Sequence, residues 1–196
     1  RCIVDGNYFI GGFISETGGV RVIGEDHLII NNYFESTTSR DGAAITLYAG
    51  VPDGNLNEYV EADNAVVAFN TFYDNTGPYI GIGTGFGSRD RSLLPRGIVV
   101  ANNLLAAGSK TVGDFVSGEN PDEQIWAGNL IFGRAVGGSI TEGFTVFDPL
   151  LELDVLSRVQ RIGPESPAID AASPVFDDVE LDIDGQLRIG VPDVGA

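Results

Sequence analysis

Arg21 is the side chain best placed by its neighbours to do chemistry. It lies in Gly18-Gly19-Val20-Arg21-Val22-Ile23-Gly24-Glu25-Asp26-His27, between two β-branched residues. Strand alternation turns it away from the face that Val20 and Val22 bury. An outward guanidinium on a flat sheet can grip a carboxylate or sulfate by a two-point contact, or pair with Glu25, Asp26 or an acid of a neighbouring strand. His27, the one histidine, could act as acid, base or substrate donor, or serve as a turn residue beside Leu28. Arg40, in Thr38-Ser39-Arg40-Asp41-Gly42-Ala43, falls in a loop before an apolar run. It either joins Arg21 over one sheet face or pairs with Asp41. Arg89, Arg91 and Arg96 share a Gly/Ser-containing segment, read as a solvated loop that could widen a cationic groove. Tyr33, Tyr48, Tyr59, Tyr73 and Tyr79 could stack on sugar rings or pack in the core and rim.

Other chemistries lack their residues. The chain has 196 residues, 11 basic and 28 acidic, for a formal charge of −17. That excludes a general binder of nucleic acid or anionic membrane, and an acidic ligand would need a local basic cluster. Cys2 has no partner for an internal disulfide, and a single histidine excludes most His-based metal sites. Asp182-Ile183-Asp184-Gly185 is like the opening of a calcium loop but lacks the further ligands and the distal Glu. Gly81-Ile82-Gly83-Thr84-Gly85 lacks the Lys-Ser/Thr of a phosphate loop. No metal ligand set and no catalytic residue is assigned from the pattern alone. No apolar stretch is long enough to span a bilayer. The chain begins at Arg1 without an initiator Met or an apolar leader, so it reads as an internal fragment whose localisation signal would lie elsewhere.

The elements that must position these residues come from a repeat. Two apolar residues, two variable ones, Asn, one variable residue and a large apolar residue recur at Ile3–Phe9, Leu28–Phe34, Val66–Phe72, Val99–Leu105 and Ile125–Ile131. The asparagines are Asn7, Asn32, Asn70, Asn103 and Asn129, spaced by 25, 38, 33 and 26 residues. The apolar runs are short and β-branched, without helical periodicity. A recurring Asn suits a left-handed turn and can hydrogen-bond to its copies in a stack. A period of roughly 22 to 26 residues, with loops inserted, fits a solenoid whose rungs bury their faces only on each other. A β-sandwich is the competing architecture. Second strands are expected at 19–23, 43–48, 79–83 and 111–116, and a last rung at 144–151. Residues 1–151 are the rungs, and residues 152–196, rich in Pro and Asp, form a tail expected to cap the end of the solenoid.

The segment from Gly18 to Glu35 resembles a signature of polysaccharide lyase family six, which holds alginate lyases and the chondroitinase B type of dermatan sulfate lyase. The resemblance continues through 64–72 and 98–105. It extends to Ser166-Pro167-Ala168-Ile169-Asp170 and to Asp182-Ile183-Asp184-Gly185-Gln186-Leu187-Arg188 with Asp193-Val194-Gly195. It implies an all-β fold, a right-handed single-stranded parallel β-helix, here partial, with a C-terminal capping tail. It also implies β-elimination on a uronate polymer. In the family, calcium neutralises the uronate carboxylate, a Lys removes the C5 proton and an Arg serves the leaving oxygen. The family's Lys, its Leu-Arg-His-Gly motif and its calcium ligands match positions upstream of Arg1. The one lysine here, Lys110, matches no catalytic motif. The resemblance therefore implies that calcium belongs to the full-length parent, with its ligands outside this chain, and that the chain alone is inactive. Arg21 carries over as a substrate-carboxylate contact, with Arg40, His27 and Tyr33 as further groove positions. The implied partners are an acidic polysaccharide, alginate first and dermatan sulfate as the alternative, and the missing N-terminal half of the β-helix. The implied location is secreted or periplasmic. A non-catalytic polysaccharide-binding β-helix is the second reading.

Overall fold

The computed structural model describes residues 1–13, 18–38, 43–55, 57–119, 122–137, 140–176 and 178–196. The repeat becomes rungs of short strands. The first rung holds β1 (Ile3–Asp5), β2 (Tyr8–Ile10) and β3 (Val20–Val22). The second holds β4 (Leu28–Ile30), β5 (Tyr33–Glu35) and β6 (Ile45–Tyr48). The third holds β7 (Val66–Ala68), β8 (Thr71–Tyr73) and β9 (Ile80–Thr84). The fourth holds β10 (Val99–Ala101), β11 (Leu104–Ala106) and β12 (Val116–Gly118). A partial fifth holds β13 (Ile125–Ala127) and β14 (Asn129–Phe132), onto which β15 (Phe144–Val146) adds. An antiparallel hairpin of β16 (Leu151–Asp154) and β17 (Val159–Ile162) follows.

Like strands stack in parallel to give three sheets: β1-β4-β7-β10-β13, β2-β5-β8-β11-β14-β15 and β3-β6-β9-β12. This is a parallel β-helix, and parallel crossovers take the right-handed course. Equivalent residues of successive copies face each other, as in Ile29↔Val67 and Val67↔Val100. The middle residue of each three-residue strand in the first sheet, and of β2, β5, β8 and β11 in the second, points inward, as do Ile131 of β14 and Phe144 of β15. In the second sheet this builds a stack of rings, Phe9 on Phe34 at 4.7 Å and Phe34 on Phe72 at 4.9 Å between centroids. Tyr79 and Phe115 extend it toward the third sheet. Each fully buried ring contributes about 1.5–3 kcal/mol relative to exposure.

The five asparagines form a ladder. Asn7 Nδ2 donates to Asn32 Oδ1, Asn32 to Asn70 and Asn70 to Asn103, each at 3.0 Å, and Asn103 to Asn129 at 2.9 Å. Each acceptor oxygen also takes the backbone N–H of the Asn one rung before it. The left-handed residue, however, is the one preceding each ladder asparagine: Gly6, Asn31, Phe69, Asn102 and Gly128, with φ between 53° and 67°. The ladder thus satisfies corner amides, while its neighbour turns the chain.

Two strand expectations shift. The strand expected over 111–116 begins at Val116. Thr111 is used instead at the corner, where its N–H donates to Asp74 Oδ1 and its hydroxyl meets the Tyr79 hydroxyl at 2.8 Å. The last rung expected over 144–151 ends at Val146, ahead of Pro149 and of Leu150 at φ 50°.

The tail runs along the flank of the rungs rather than over their end. Its anchor points are the left-handed corner residues. Asn31 Nδ2 donates to Leu181 O, Asn102 Nδ2 donates to the carbonyls of Ser173 and Phe176, and Asn102 Oδ1 accepts from Ser173 N–H. Arg188 reaches Asn31 Oδ1 at 2.9 Å, Gly195 O at 2.8 Å and Asp193 O at 3.0 Å, with its guanidinium 4.4 Å from the Phe69 ring centroid. Burial lowers the Arg188 pKa from its ordinary value. Val179 packs on Ile30, Ala68 and Ala101 outside the first sheet. Ala168 and Val194 pack on Leu104, Ala106 and Leu130 outside the second.

Candidate functional site

With the outer faces of the first two sheets packed against the tail, the third sheet faces outward beside the loops. Alternation in its strands sends Val20, Val22, Ile45, Leu47, Ile80 and Ile82 inward. Arg21, Thr46 and Gly81 then stand in register on the outer side, with Ser117 beside Gly81. Tyr48 lies on the same side, one pair further along β6. Gly19, in the double glycine before Arg21, has no room for a side chain: a Cβ there would meet the Ala44 carbonyl and the Phe34 ring. That part of the signature serves packing, and it seats β3 closely on β6.

The loops over 50–63 and 85–97 rise from the ends of β6 and β9 and hold each other. Gly50 N–H donates to Leu93 O at 2.8 Å, and Ser92 N–H donates to Gly50 O at 2.9 Å. Val51 N–H bonds Tyr59 O, and Ala62 N–H bonds Tyr48 O, which folds the first loop back over its own strand. Tyr59 is thereby laid against Tyr48, with ring centroids 4.9 Å apart. Arg21 lies over Tyr48 at 5.2 Å, and its Nη1 donates to the Tyr59 hydroxyl at 3.4 Å. Arg91 stacks on Tyr59 at 3.8 Å and also meets Tyr48 at 5.4 Å. Two guanidinium groups and two phenol rings thus make one cluster on the outer face of an acidic chain. Arg21 is exposed, whereas Arg91 is only 9% exposed.

The Arg91 placement corrects the solvated-loop reading for that residue. Its loop is a tight turn, in which Arg91 N–H donates to Ser88 O and Gly87 N–H donates to Arg91 O. Gly85, at φ 84°, leaves the space that Arg91 Nη1 fills. Arg96 behaves differently: it pairs with Asp63 at 3.1 Å, its side chain is 64% exposed, and the hydrogen bond to Asp63, followed by that carboxylate's charge, raises its pKa. Tyr48 as a partner of Arg21 was readable from alternation along 45–48. Nothing in the sequence signals that a loop arginine 43 residues further on folds under the same ring.

The other sequence candidates separate. His27 sits in a corner with both ring nitrogens engaged by backbone. Cys2 N–H donates to Nδ1 at 2.9 Å, so Nε2 carries the proton and donates to Ile23 O at 2.9 Å. His27 therefore stitches two rungs and offers no free nitrogen to a substrate. Tyr33 corrects the groove reading more plainly. It is buried on the outer face of the second sheet, under the hairpin, where its hydroxyl donates to Glu35 Oε2 at 2.6 Å and accepts from Gln160 N–H at 3.0 Å. Burial, with Glu35 beside it, raises its pKa well above that of an ordinary tyrosine. Arg40 lies outside the described residues. Tyr79 is core, its hydroxyl donating to Ala106 O. Trp126 packs on the interior and against Phe144.

Calcium finds no donor set among the described residues, where no three His, Cys, Asp or Glu side chains are grouped to hold a metal. The calcium-loop look-alike is a turn. Asp182 Oδ1 accepts the N–H groups of Asp184 and Gln186, and Asp184 pairs with Arg161 at 2.9 Å and accepts from the Tyr8 hydroxyl. The Asp182 carboxylate is committed to its own turn, and that of Asp184 to holding the tail on the first rung through Tyr8.

Comparison with known proteins follows the same lines. A family model described as Chondroitinase B matches residues 1–157. No curated protein matches the chain. Among solved structures, a mutant of the PL6 family alginate lyase AlyGC is similar at 28% identity and a TM-score of 0.71, over 83% of this chain and 22% of that one. AlyGC itself is similar at 24% identity and 0.68, over 98% and 24%. A mannuronic acid specific family 6 lyase from human gut microbiota is similar at 22% and 0.57, over 74% and 34%. The chain spans less than a quarter of the length of AlyGC. A ladder-built parallel β-helix and a family match across four-fifths of the residues agree, and the chain belongs to the chondroitinase B family, polysaccharide lyase family six.

Proposed function

We propose that this chain is the distal part of a lyase that cleaves a uronate-containing polymer, alginate first, by β-elimination, and that the outer face of its third sheet is part of the substrate groove. The observation that supports this is the Arg21 cluster. An exposed guanidinium is oriented by Tyr59 and backed by Tyr48. It stands on a chain of net charge −17, where a free polyanion would otherwise be repelled. Arg21 would hold a uronate carboxylate by its planar fork, with the tyrosine rings beside the sugar. The proton-transfer residues and any calcium ligands belong, in this reading, to rungs outside this chain. Lys110 supports that division: its backbone N–H is pinned to Asp74 Oδ1 at a corner of the fourth rung, away from the Arg21 cluster. A secreted or periplasmic location goes with a polymeric substrate. Dermatan sulfate is the alternative substrate.

The test is the full-length protein, followed by unsaturated-uronate absorbance on alginate and on dermatan sulfate. Arg21→Ala is expected to raise KM by roughly 10- to 100-fold, the loss of a charge-assisted contact, with unchanged thermal stability. Absence of turnover on both polymers would overturn the lyase reading and leave a polysaccharide-binding β-helix. An unchanged KM in the variant would remove Arg21 from the groove.

A further inference from the structure

Arg91 presents an imbalance that the fold does not account for. It is 91% buried, yet among the described residues no carboxylate pairs with its guanidinium and no acceptor takes a hydrogen bond from it. Its contacts are the two tyrosine rings and the Gly85 backbone. Acids outnumber bases by 28 to 11, and the neighbouring Arg96 does have its aspartate. Its nitrogens are not among the fully buried side-chain atoms that lack a hydrogen-bond partner, so they reach solvent at the margin of the ring cluster and can be met there by an anion from outside.

Resting on the reading of this face as a polysaccharide groove, we propose that Arg91, clamped by Tyr48 and Tyr59, is a second anion subsite that takes the carboxylate of a sugar unit near the one held by Arg21. Tyr59 covers the guanidinium at 3.8 Å, and Tyr48, tilted 45° to the Tyr59 ring, lies 5.4 Å away, so an incoming anion meets the edge of the guanidinium, where the N–H donors lie. Both guanidinium carbons stand close to the centroid of the Tyr48 ring, at 5.2 and 5.4 Å, and so lie within about 11 Å of each other. Two fixed cations at that separation can be met together by neighbouring units of one polyanionic chain. The stacked rings hold Arg91 in place before the ligand arrives, which lowers the ordering cost of binding.

The experiment uses the full-length protein and two probes, a tetra-uronate oligosaccharide followed by calorimetry and inorganic sulfate followed by thermal shift at constant ionic strength. Arg91→Gln is expected to weaken oligosaccharide binding about ten-fold and to abolish the part of the sulfate-induced rise in Tm that exceeds that of chloride. Arg91→Lys keeps the charge without the fork, so it retains the sulfate response and binds the oligosaccharide a few-fold more weakly. If Arg91→Gln does not fold, the lysine variant decides, because a mere loop prop predicts no change in its affinity. Wild-type affinity and sulfate response in Arg91→Gln, or wild-type affinity in Arg91→Lys, overturn the subsite. A sulfate response lost in Arg91→Gln, with no oligosaccharide bound by the wild type, keeps the anion site and overturns the uronate reading instead.

Discussion

Replacing Asn70 by Ala should remove as much stability as truncating a large apolar side chain in these rungs. Its side chain is fully buried and makes five hydrogen bonds. Nδ2 donates to Ile29 O, Ala68 O and Asn103 Oδ1, and Oδ1 accepts from the backbone and side-chain N–H groups of Asn32. Because Nδ2 carries two hydrogens shared among three acceptors, the five contacts count as about four bonds, and at about 1 kcal/mol net per bond their loss costs about 4 kcal/mol. The two Asn32 donors that bonded Asn70 would then be buried without that acceptor, which adds to the cost. That total rivals the whole stability of many domains, about 5–15 kcal/mol. Asn70→Asp keeps the acceptor but loses the donors and buries a carboxylate among carbonyls. Its folded-state pKa would therefore rise above its unfolded value, so the variant should gain on acidification and lose stability as pH rises through that folded-state value. Urea unfolding of the full-length protein by circular dichroism, with both variants across pH, is the assay. A loss under about 1 kcal/mol for Asn70→Ala would refute the ladder as a source of stability.

Two further outcomes follow from contacts on the flank and in the core. Arg188→Met removes three donated bonds that join the tail to the second rung and to itself, at a cost of about 3 kcal/mol. Limited proteolysis should then cut within 163–196 while the coils stay resistant, and an unchanged cleavage pattern would contradict the clamp. Tyr33 and Tyr79 both have pKa values raised by burial. The unfolded chain releases those protons near pH ~10 while the folded one retains them, so stability is full below that pH and falls above it. The urea midpoint should drop steeply above pH ~10, and Tyr33→Phe should flatten that drop although it lowers stability at neutral pH. An equal drop in the variant would show that Tyr33 titrates normally.

The rungs were legible because the ladder asparagine must satisfy the same corner amides in every coil, so the residue type recurs at each corner. The left-handed position was misassigned by one residue, since Asn31-Asn32 and Asn102-Asn103 offer two equivalent candidates. The structure divides the pairs: the second asparagine faces the ladder, and the first faces the tail. The flank position of the tail was hidden for a related reason. Arg188 and its partner Asn31 are 157 residues apart, and neither looks unusual alone. Tyr33 misled because alternation gives the side of a strand but not what later covers that side. Arg21 was readable because its own strand fixes its direction.

The tail therefore bears on function without touching the candidate site. The outer faces of the first and second sheets carry Ile30, Ala68 and Ala101, and Leu104, Ala106 and Leu130, an apolar surface that needs a cover. Tail residues supply it, anchored at the left-handed corners of the second, third and fourth rungs. The third sheet carries Arg21, Thr46, Gly81 and Ser117 in those positions, a polar and small set without an apolar surface for the tail to cover; Thr46 and Gly81 are buried, and Arg21 is exposed. Composition on the outside of each sheet thus decides which sides the tail takes. Loosening the tail should therefore expose apolar surface and lower solubility.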